Sequence, residues 1–222
     1  MNEATKTRAL WGKLELDTLS GKGIDIGCGK DLVRPDAQPF EKENGDANVI
    51  SRHVTDQFDY VFSAHCLEHM HDPRAALREW WKLVRPGGFL FFVVPDEDLY
   101  EQGIWPSIFN LDHKATFTIS KHKSWSPVSV NIIDLVSSLP GAKLVDIKLQ
   151  DNGYDRRYLA HHRGFRWWAR LWAFLRYAII ITLLKKGVRV RLHWISRLFF
   201  VPIDQTLGCA SAQIQTIVQK TA

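Results

Sequence analysis

The distribution of apolar and polar positions predicts alternating strands and helices. Lys22–Ile26 and Tyr60–Ser63 are short runs without regular alternation, which is typical of parallel strands covered on both faces. Asp72-Pro73 is a pair suited to begin a helix, and apolar residues follow it with helical spacing. Pro86-Gly87-Gly88 is predicted to end that helix before another strand, Phe89–Val94. The alternation indicates an α/β fold.

The pattern is less regular on either side of this stretch. Ala9–Leu19 predicts a short helix or lead-in, and Pro127–Leu139 predicts a helix. Lys143–Leu149 and Gln213–Gln219 predict strands, the second of which closes the sheet. Asp96–Trp125 is irregular and rich in polar and aromatic residues. Because it follows the carboxyl end of a predicted strand, we expect it to carry chemistry.

The first predicted strand runs into a glycine turn. Gly27 and Gly29 lack Cβ, so a ligand can lie directly against the backbone. Glycine turns of this kind form the mouth of open α/β sheets, where nucleotide-like ligands bind. One such turn is a weak signal. Here it is followed in order by Phe58–Ser63, Leu67-Glu68-His69 and Arg85-Pro86-Gly87-Gly88.

This ordered set resembles the class I S-adenosylmethionine (SAM)-dependent methyltransferases. Asp25–Gly29 is similar to the first motif of that family, and Gly45-Asp46-Ala47 to the segment that holds the adenine. Phe58–Val61 is similar to its fourth strand, and His65–His69 to the helix start that follows. The likeness covers about Gly21–Pro95. It implies a Rossmann-like, seven-stranded, doubly wound sheet with SAM as cofactor.

The resemblance also assigns residues to the cofactor. They are Asp25, Gly27, Cys28, Gly29, Glu41, Asp46, Ala47, Ser63 and His65. Glu41 is the expected ribose ligand, although it lies only 12 residues after Gly29 (41 − 29 = 12). A dinucleotide site places this acid about 20 residues after the glycines, so the helix and strand in between should be short. Lys30-Asp31 stands where the family has a third glycine.

Methyl transfer mainly requires alignment of the reacting atoms and exclusion of water. A hydroxyl nucleophile must also lose its proton, for which histidine is the usual base. We predict His113, with Asp112 beside it, as the first candidate for catalysis and His69 as the second. The alternative is structural: His113 could hold its loop together by hydrogen bonds, and His69 could cap a helix.

The irregular segment also offers groups that suit a sugar acceptor, since carboxylates hydrogen-bond hydroxyls and aromatic rings stack on sugar faces. The predicted acceptor residues are Asp96, Asp98, Tyr100, Trp105 and Asn110. The same segment offers hard metal ligands: Asp96, Glu97, Asp98, Asp112 and His113. Their spacing specifies no metal, so none is predicted.

Composition limits the size of the domain, the use of disulfides and the location of the protein. The 222 residues, of which 45% are apolar, suffice for one sizeable domain and an appendage. Cys28, Cys66 and Cys209 form no Cys-x-x-Cys pair, which argues against a disulfide framework and suits a reducing cytosol. The first residues lack the apolar core of a secretion signal. We therefore expect a cytoplasmic protein.

Charge is distributed unevenly along the chain. Arg156–Ile203 contains eleven Lys or Arg residues and no acid. Because the net charge of the whole chain is +5, the rest of the chain has a net charge of −6 (5 − 11 = −6). This predicts a methyltransferase core at 1–155, a basic helical insertion at 156–203, and a closing strand of the core at 204–222.

The insertion is amphipathic. Its arginine stripe (Arg163, Arg166, Arg170) lies opposite an apolar stripe (Trp168, Leu171, Trp172, Leu175). The uncharged run Tyr177–Leu184 is shorter than the roughly 20 residues that span a bilayer. We predict that residues 156–200 lie on an anionic membrane surface, as a peripheral contact at its inner face. The alternatives are packing on the domain or on a second subunit of a homodimer; nucleic-acid binding ranks lower.

These observations predict a SAM-dependent O-methyltransferase that acts on a sugar or lipid-linked saccharide at the membrane surface. The loose resemblance beyond Pro95 is to bacterial enzymes that modify cell-surface polysaccharide. A lipophilic acceptor such as a quinone precursor is one alternative, and a non-catalytic membrane module is another. The retained Asp25, Gly27, Gly29 and Asp46 favour an enzyme.

Overall fold

The computed structural model describes residues 3–156 and 202–221, together with residues 159, 171 and 175. Its strands are β1 (Gly23–Ile26), β2 (Gln38–Phe40), β3 (Phe58–Ala64), β4 (Val84–Pro95), β5 (Thr116–Thr118), β6 (Ser129–Asn131), β7 (Ala142–Gln150) and β8 (Gln213–Lys220). Six of them form the central sheet in the order β2-β1-β3-β4-β8-β7, and β5 pairs with β6 in a small second sheet.

The central sheet is mixed. β2, β1, β3 and β4 are parallel, whereas β8 lies antiparallel between β4 and β7. The predicted strand near the end of the sequence is therefore confirmed as an internal strand of the core. Because β1, β3 and β4 run in the same direction, their carboxyl ends meet at one edge, where open α/β sheets bind ligands.

The Rossmann-like α/β architecture is confirmed, and the predicted seven strands match only roughly, because the central sheet has six strands in the described part of the chain. The segment between β2 and β3 forms turns and a 3-10 helix, Ala47–Arg52. Asp46 begins that helix by accepting a hydrogen bond from the backbone N–H of Asn48. These residues are thereby committed to helical turns, and β2 is left as the edge strand.

Within residues 3–156 and 202–221, four α-helices accompany the sheet: α1 (Glu3–Arg8), α2 (Lys13–Thr18), α3 (Pro73–Lys82) and α4 (Ile132–Ser137). α3 begins as predicted, because the Asp72 carboxylate accepts hydrogen bonds from two backbone N–H groups of its first turn. Such a cap contributes about 1 kcal/mol. The helix ends at Lys82, so Pro86-Gly87-Gly88 does not end it but lies within β4.

Both faces of the sheet are covered, as the uninterrupted apolar runs predict. Within β3, Val61 belongs to the core on the α3 side, where it joins Trp80. The neighbouring Tyr60 and Phe62 belong to the core on the opposite face. This alternation follows from the period of two along a strand.

The connection from β1 to β2 contains no helix; residues 27–37 form turns. The carboxylate of Asp25, at 1% exposure, accepts a hydrogen bond of 2.6 Å from the backbone N–H of Val33 and so holds this short crossover. The expected shortness is confirmed, and it places Glu41 directly after β2.

Almost all of the basic insertion at 156–203 lies outside the described residues, and so do the predictions of its helicity and membrane contact. Among the helices that the structure describes, none combines the length with the apolar character needed to cross a bilayer.

Candidate active site

Two neighbouring clefts open at the carboxyl edge of the sheet, and His65 and His69 line both of them. The larger, the glycine-turn cleft, has a volume of about 680 Å³, and its lining includes Gly27, Glu41, Asp46, Ala47 and Asn48. The smaller, the histidine cleft, has a volume of about 290 Å³, and its lining includes Glu68, Tyr100, Phe109, Asn110, His113 and Gln213.

The glycine-turn cleft has bare backbone at its base. Gly27 has a φ of +75°, and a Cβ at this position would lie 2.8 Å from the Cβ and Sγ of Cys66. Gly29 has a φ of +57°, with no atom within 4 Å of the place where its Cβ would be. Glycine is therefore required at residue 27 both by conformation and by space, and residue 29 leaves the backbone open to a ligand.

Two acids border this backbone. The Glu41 carboxylate accepts a hydrogen bond from the backbone N–H of Gly29, which links the end of β2 to the turn after β1. Asp46 accepts hydrogen bonds from the side-chain amide and the backbone N–H of Asn48, which hold the pKa of its carboxyl below the usual value. Glu41, Asp46 and Ala47, three of the predicted cofactor residues, thus line one cleft.

The other predicted cofactor residues support the turn from behind or beside it. Asp25 is not part of the described lining; burial raises the pKa of its carboxyl to about 7. The buried Ser63 donates a hydrogen bond of 2.9 Å to the carbonyl of Ile26, tying β3 to β1. Cys28 lies half-buried in the turn itself, and burial raises the pKa of its thiol to about 12.

The histidine cleft forms where two chain segments meet. β3 is followed by a one-turn 3-10 helix, Leu67–His69, which contains Glu68. The backbone N–H of Lys114 donates to the carbonyl of Glu68 at 2.8 Å, and the Lys114 Nζ donates to the carbonyl of His69 at 2.7 Å. These bonds bring His113 beside His69, with their ring centroids 5.0 Å apart.

Each of these two histidines is held through its Nδ1 by a carboxylate. Nδ1 of His113 lies 2.7 Å from Oε1 of Glu101, and both side chains are buried. Nδ1 of His69 lies 3.0 Å from Oδ2 of Asp112, whose side chain is 65% exposed. The Nε2 atom is therefore the nitrogen that each ring has left for chemistry in the cleft.

Glu68 lies at the centre of this arrangement and is 1% exposed. Neither of its carboxylate oxygens has a hydrogen-bond donor among the described residues. Its Oε1 lies 3.4 Å from Nδ1 of His65 and 4.0 Å from Nε2 of His113. Burial raises the pKa of the carboxyl, but His65, His113 and His69 outweigh that effect, so the pKa lies below its usual value.

The structure brings His113, His69 and Asp112 together, but in different pairs from those the sequence suggested. Asp112 contacts His69 and Lys114, and the partner of His113 is Glu101. Sequence reasoning missed Glu101, which no motif marks. It also passed over Glu68, although that residue stands within the Leu67-Glu68-His69 motif.

Of the predicted acceptor residues, Tyr100 and Asn110 line the histidine cleft. Asp96, Asp98 and Trp105 line neither cleft. The Asp96 carboxylate accepts hydrogen bonds from the backbone N–H groups of Asp98 and Leu99.

The rest of the acidic segment is also engaged in its own fold. Asp98 pairs with Lys121 and accepts a hydrogen bond from the indole N–H of Trp125. Glu97 is fully buried and holds the side chains of Thr116, Lys121, Ser124 and Ser129. Glu97 can be buried because these four side chains provide the donors that its carboxylate requires.

Comparison with known proteins identifies the family. A family model described as "Methyltransferase domain" matches residues 4–170. The chain belongs to the class I SAM-dependent methyltransferases. The resemblance carried by the glycine turn and the motifs after it is thereby confirmed.

Curated relatives match over shorter stretches. A ubiquinone biosynthesis O-methyltransferase of Pseudomonas putida is 24% identical over 120 residues, which cover 41% of this chain and 52% of the relative. One with the same name from Pseudomonas fluorescens is 37% identical over 79 residues, 32% of each chain. The chain spans about half the length of the curated relatives it matches, or less.

A solved structure shares the fold. A Galdieria sulphuraria protein described as a sarcosine dimethylglycine methyltransferase is 12% identical, with a TM-score of 0.51 over 99% of this chain and 84% of that one. At this identity the likeness concerns the architecture alone.

The residues of the glycine-turn cleft fit SAM, the cofactor of the family. Gly27, where no side chain fits, lines this cleft, and the place of a Cβ at Gly29 is free of other atoms. Glu41 offers a carboxylate directly after β2, where the resemblance places the ribose ligand, and Asp46 and Ala47, which the resemblance assigns to the adenine, line the same cleft. These residues would hold the cofactor, with His65 and His69 between it and the histidine cleft.

Proposed function

We propose that this methyltransferase transfers the methyl group of SAM to a hydroxyl oxygen of an acceptor in the histidine cleft. One observation carries the proposal. Two imidazoles, each fixed at Nδ1 by a carboxylate, lie in the smaller cleft, and one of them, His69, also lines the cleft that fits the cofactor. An acceptor oxygen in the smaller cleft would therefore have groups able to take its proton.

SAM, when bound, supplies an electrophilic methyl group whose C–S bond breaks as the new C–O bond forms. The chain must then accept the hydroxyl proton, and an imidazole Nε2 is suited to do so. The buried Glu101 keeps the His113 proton on Nδ1 and orients the ring, so that Nε2 presents its lone pair. Glu68 and His113 are themselves buried, which limits the access of water to the acceptor from their side of the cleft.

We propose a hydroxylated aromatic ring as the acceptor, ahead of the sugar predicted from the sequence. Tyr100, Phe109 and Leu207 contribute apolar surface to the histidine cleft, and Asn110 contributes a polar group. The curated relatives are named as O-methyltransferases of ubiquinone biosynthesis, which supports an oxygen acceptor. The sugar interpretation depended largely on Asp96, Asp98 and Trp105, and these lie away from both clefts.

The test is a methyl-transfer assay with isotopically labelled SAM and two matched panels, phenols and catechols in one and simple glycosides in the other. We expect labelled methyl ethers from the aromatic panel. Labelling confined to glycosides would replace the proposed acceptor with a sugar, and labelling of amines alone would contradict O-methylation.

The membrane contact of residues 156–200 is proposed on its composition, with support from Leu171 and Leu175 on its apolar stripe, which are 44% and 39% exposed. Flotation with liposomes that contain or lack anionic lipid tests it. We expect flotation only with anionic lipid at low salt, because the arginines must meet phosphate groups. Its absence there would favour packing on the domain or on a second subunit.

A further inference from the structure

We propose that Glu68, His69 and His113 form a binding site for a divalent transition-metal ion, of which Mn²⁺ and Zn²⁺ are the types that fit. Each residue offers one donor atom, and the three donor atoms lie within 4.8 Å of one another. With metal–ligand bonds of about 2.1 Å, three ligands stand roughly 3.4 Å apart, so closure requires side-chain movements of about 1 Å. Rotation of the side chains is enough for that.

The chemistry of the donors selects the class of ion. Two imidazole nitrogens and one carboxylate oxygen suit first-row divalent metals, whereas Mg²⁺ and Ca²⁺ prefer oxygen alone. Three protein ligands also leave coordination positions open, which distinguishes a catalytic from a structural site. The open side faces the histidine cleft, because all three residues line it.

Glu68 provides the first independent observation. The Glu68 carboxylate is 1% exposed, and its oxygens have no hydrogen bond of normal geometry among the described residues, which is an uncommon arrangement for a buried polar group. The Nδ1 of His65 lies 3.4 Å from Oε1 and helps to stabilise the charged carboxylate. A cation between Glu68 and the two imidazoles would neutralise the buried charge and occupy its lone pairs.

The contacts of Nδ1 in the rings of His69 and His113 provide the second independent observation. Histidines that bind metals usually donate their other N–H to a carboxylate, which fixes the ring and makes it a stronger ligand. Glu101 does this for His113 at 2.7 Å, and His69 Nδ1 bonds to the backbone carbonyl of Asp112 at 3.3 Å, with a carboxylate oxygen of the same residue at 3.0 Å. His113 Nε2, which lies 4.0 Å from Glu68 Oε1, is thereby the nitrogen that this ring offers to the cluster, and His69 offers one ring nitrogen to it.

The role of the ion rests on the proposed function. An ion at this place would contact the hydroxyl oxygen of the acceptor and lower its pKa. His69 and His113 would then act as ligands instead of bases, and the proton would leave to solvent. The sequence predicted no metal because residues 68 and 69 are joined to residue 113 only by the packing of two loops.

Metal binding can be measured without cofactor or acceptor. The full chain, without an affinity tag and stripped with a chelator, is titrated with MnCl₂ by calorimetry and followed by electron paramagnetic resonance. Mn²⁺ is used because thiolates, which the three cysteines could provide, bind it poorly. We expect one ion per chain.

Substitutions test which residues bind the Mn²⁺ ion. Glu68→Gln, which is nearly isosteric, and His113→Ala should each weaken Mn²⁺ binding at least tenfold. Glu101→Gln, which acts through His113, should weaken it about 10–100-fold. His122→Ala removes an exposed histidine outside both clefts and should bind as the wild type does. Circular dichroism melting shows which variants fold, and line broadening of the His69 and His113 ring signals by Mn²⁺ tests the wild type directly.

The proposal is overturned if the folded wild type shows no saturable Mn²⁺ binding, or if Glu68→Gln and His113→Ala bind as the wild type does. Its failure is distinguishable from failure of the proposed function. Methyl transfer that continues unchanged in excess chelator, without Mn²⁺ binding, keeps the function and removes the metal site. Specific Mn²⁺ binding without transfer to any hydroxyl keeps the site and removes the function.

Discussion

The two clefts are built in different ways, although they share a wall. The glycine-turn cleft takes one side, with its glycine and both acids, from a single short stretch between Gly27 and Asn48, and its other side from around residues 65–71 and 112–114. The histidine cleft combines side chains from around residues 65–69, 100–113 and 204–213. The first therefore depends on local backbone conformation, and the second depends on how distant segments pack. Substitutions should separate the two.

The largest effect is expected from His113→Ala. Loss of this imidazole removes either the base or a metal ligand, so methyl transfer should fall by about 10²–10⁴-fold. The affinity for SAM should stay within about threefold of the wild type, since His113 lines only the histidine cleft. Labelled transfer assays and calorimetry with SAM measure the two quantities. Equal losses in both would show that the clefts do not act separately.

Asp25→Asn should reveal how the glycine turn is supported. Burial raises the pKa of Asp25 from 3.8 to about 7, so the stability contributed by its neutral form is fully present below pH 3.8 and is lost as the pH rises to about 7. That loss can reach about 4 kcal/mol, and asparagine, which cannot ionise, should escape it. Denaturant unfolding at pH 5 and pH 8 measures the difference. Parallel pH profiles for the two proteins would contradict this account.

Gly27→Ala should damage the glycine-turn cleft alone. The new Cβ would lie 2.8 Å from Cys66, and the alanine backbone would have to adopt a φ of +75°, so the turn has to shift. We expect SAM affinity to fall by about 10–100-fold, which corresponds to strain of about 1–3 kcal/mol. Gly87→Ala is the matched control, with a φ of +80° and nothing within 4 Å, away from both clefts. Calorimetry that finds the two variants alike would remove the special role of Gly27.

The smallest effect is expected from Asp98→Ala. This change removes a partly exposed ion pair with Lys121, worth about 0–1 kcal/mol, and touches neither cleft. Turnover and the KM for the acceptor should change less than about twofold. Asn110→Ala, within the histidine cleft, should raise that KM more. Steady-state kinetics that rank the two variants the other way would restore the acidic segment as an acceptor site.

The sequence foretold the parts of the structure that depend on neighbours along the chain. The buried strands, the cap at Asp72 and the open backbone at Gly27 each follow from local conformational preference, and the structure contains them. The short distance from Gly29 to Glu41 correctly indicated a reduced crossover between β1 and β2.

The histidine cleft could be predicted only in part, because its geometry is set by long-range contacts. His113 and His69 were recognisable by type, but the carboxylates that orient them were not assigned correctly. Glu101 contacts His113 in a fold in which Lys114, the next residue, bonds to the carbonyls of Glu68 and His69. No periodicity in the sequence encodes that meeting. The same limit applies to Asp98, which finds Lys121 in the fold instead of a ligand.

The narrow outer strand β2 has a consequence for how molecules of this protein behave toward one another. The edge strand of a sheet normally presents unpaired N–H and C=O groups, which other chains can use as a template for aggregation. Here that strand is three residues long, and its middle residue is Pro39, which has no N–H to donate. The shortened sheet thus ends in a border that resists intermolecular extension.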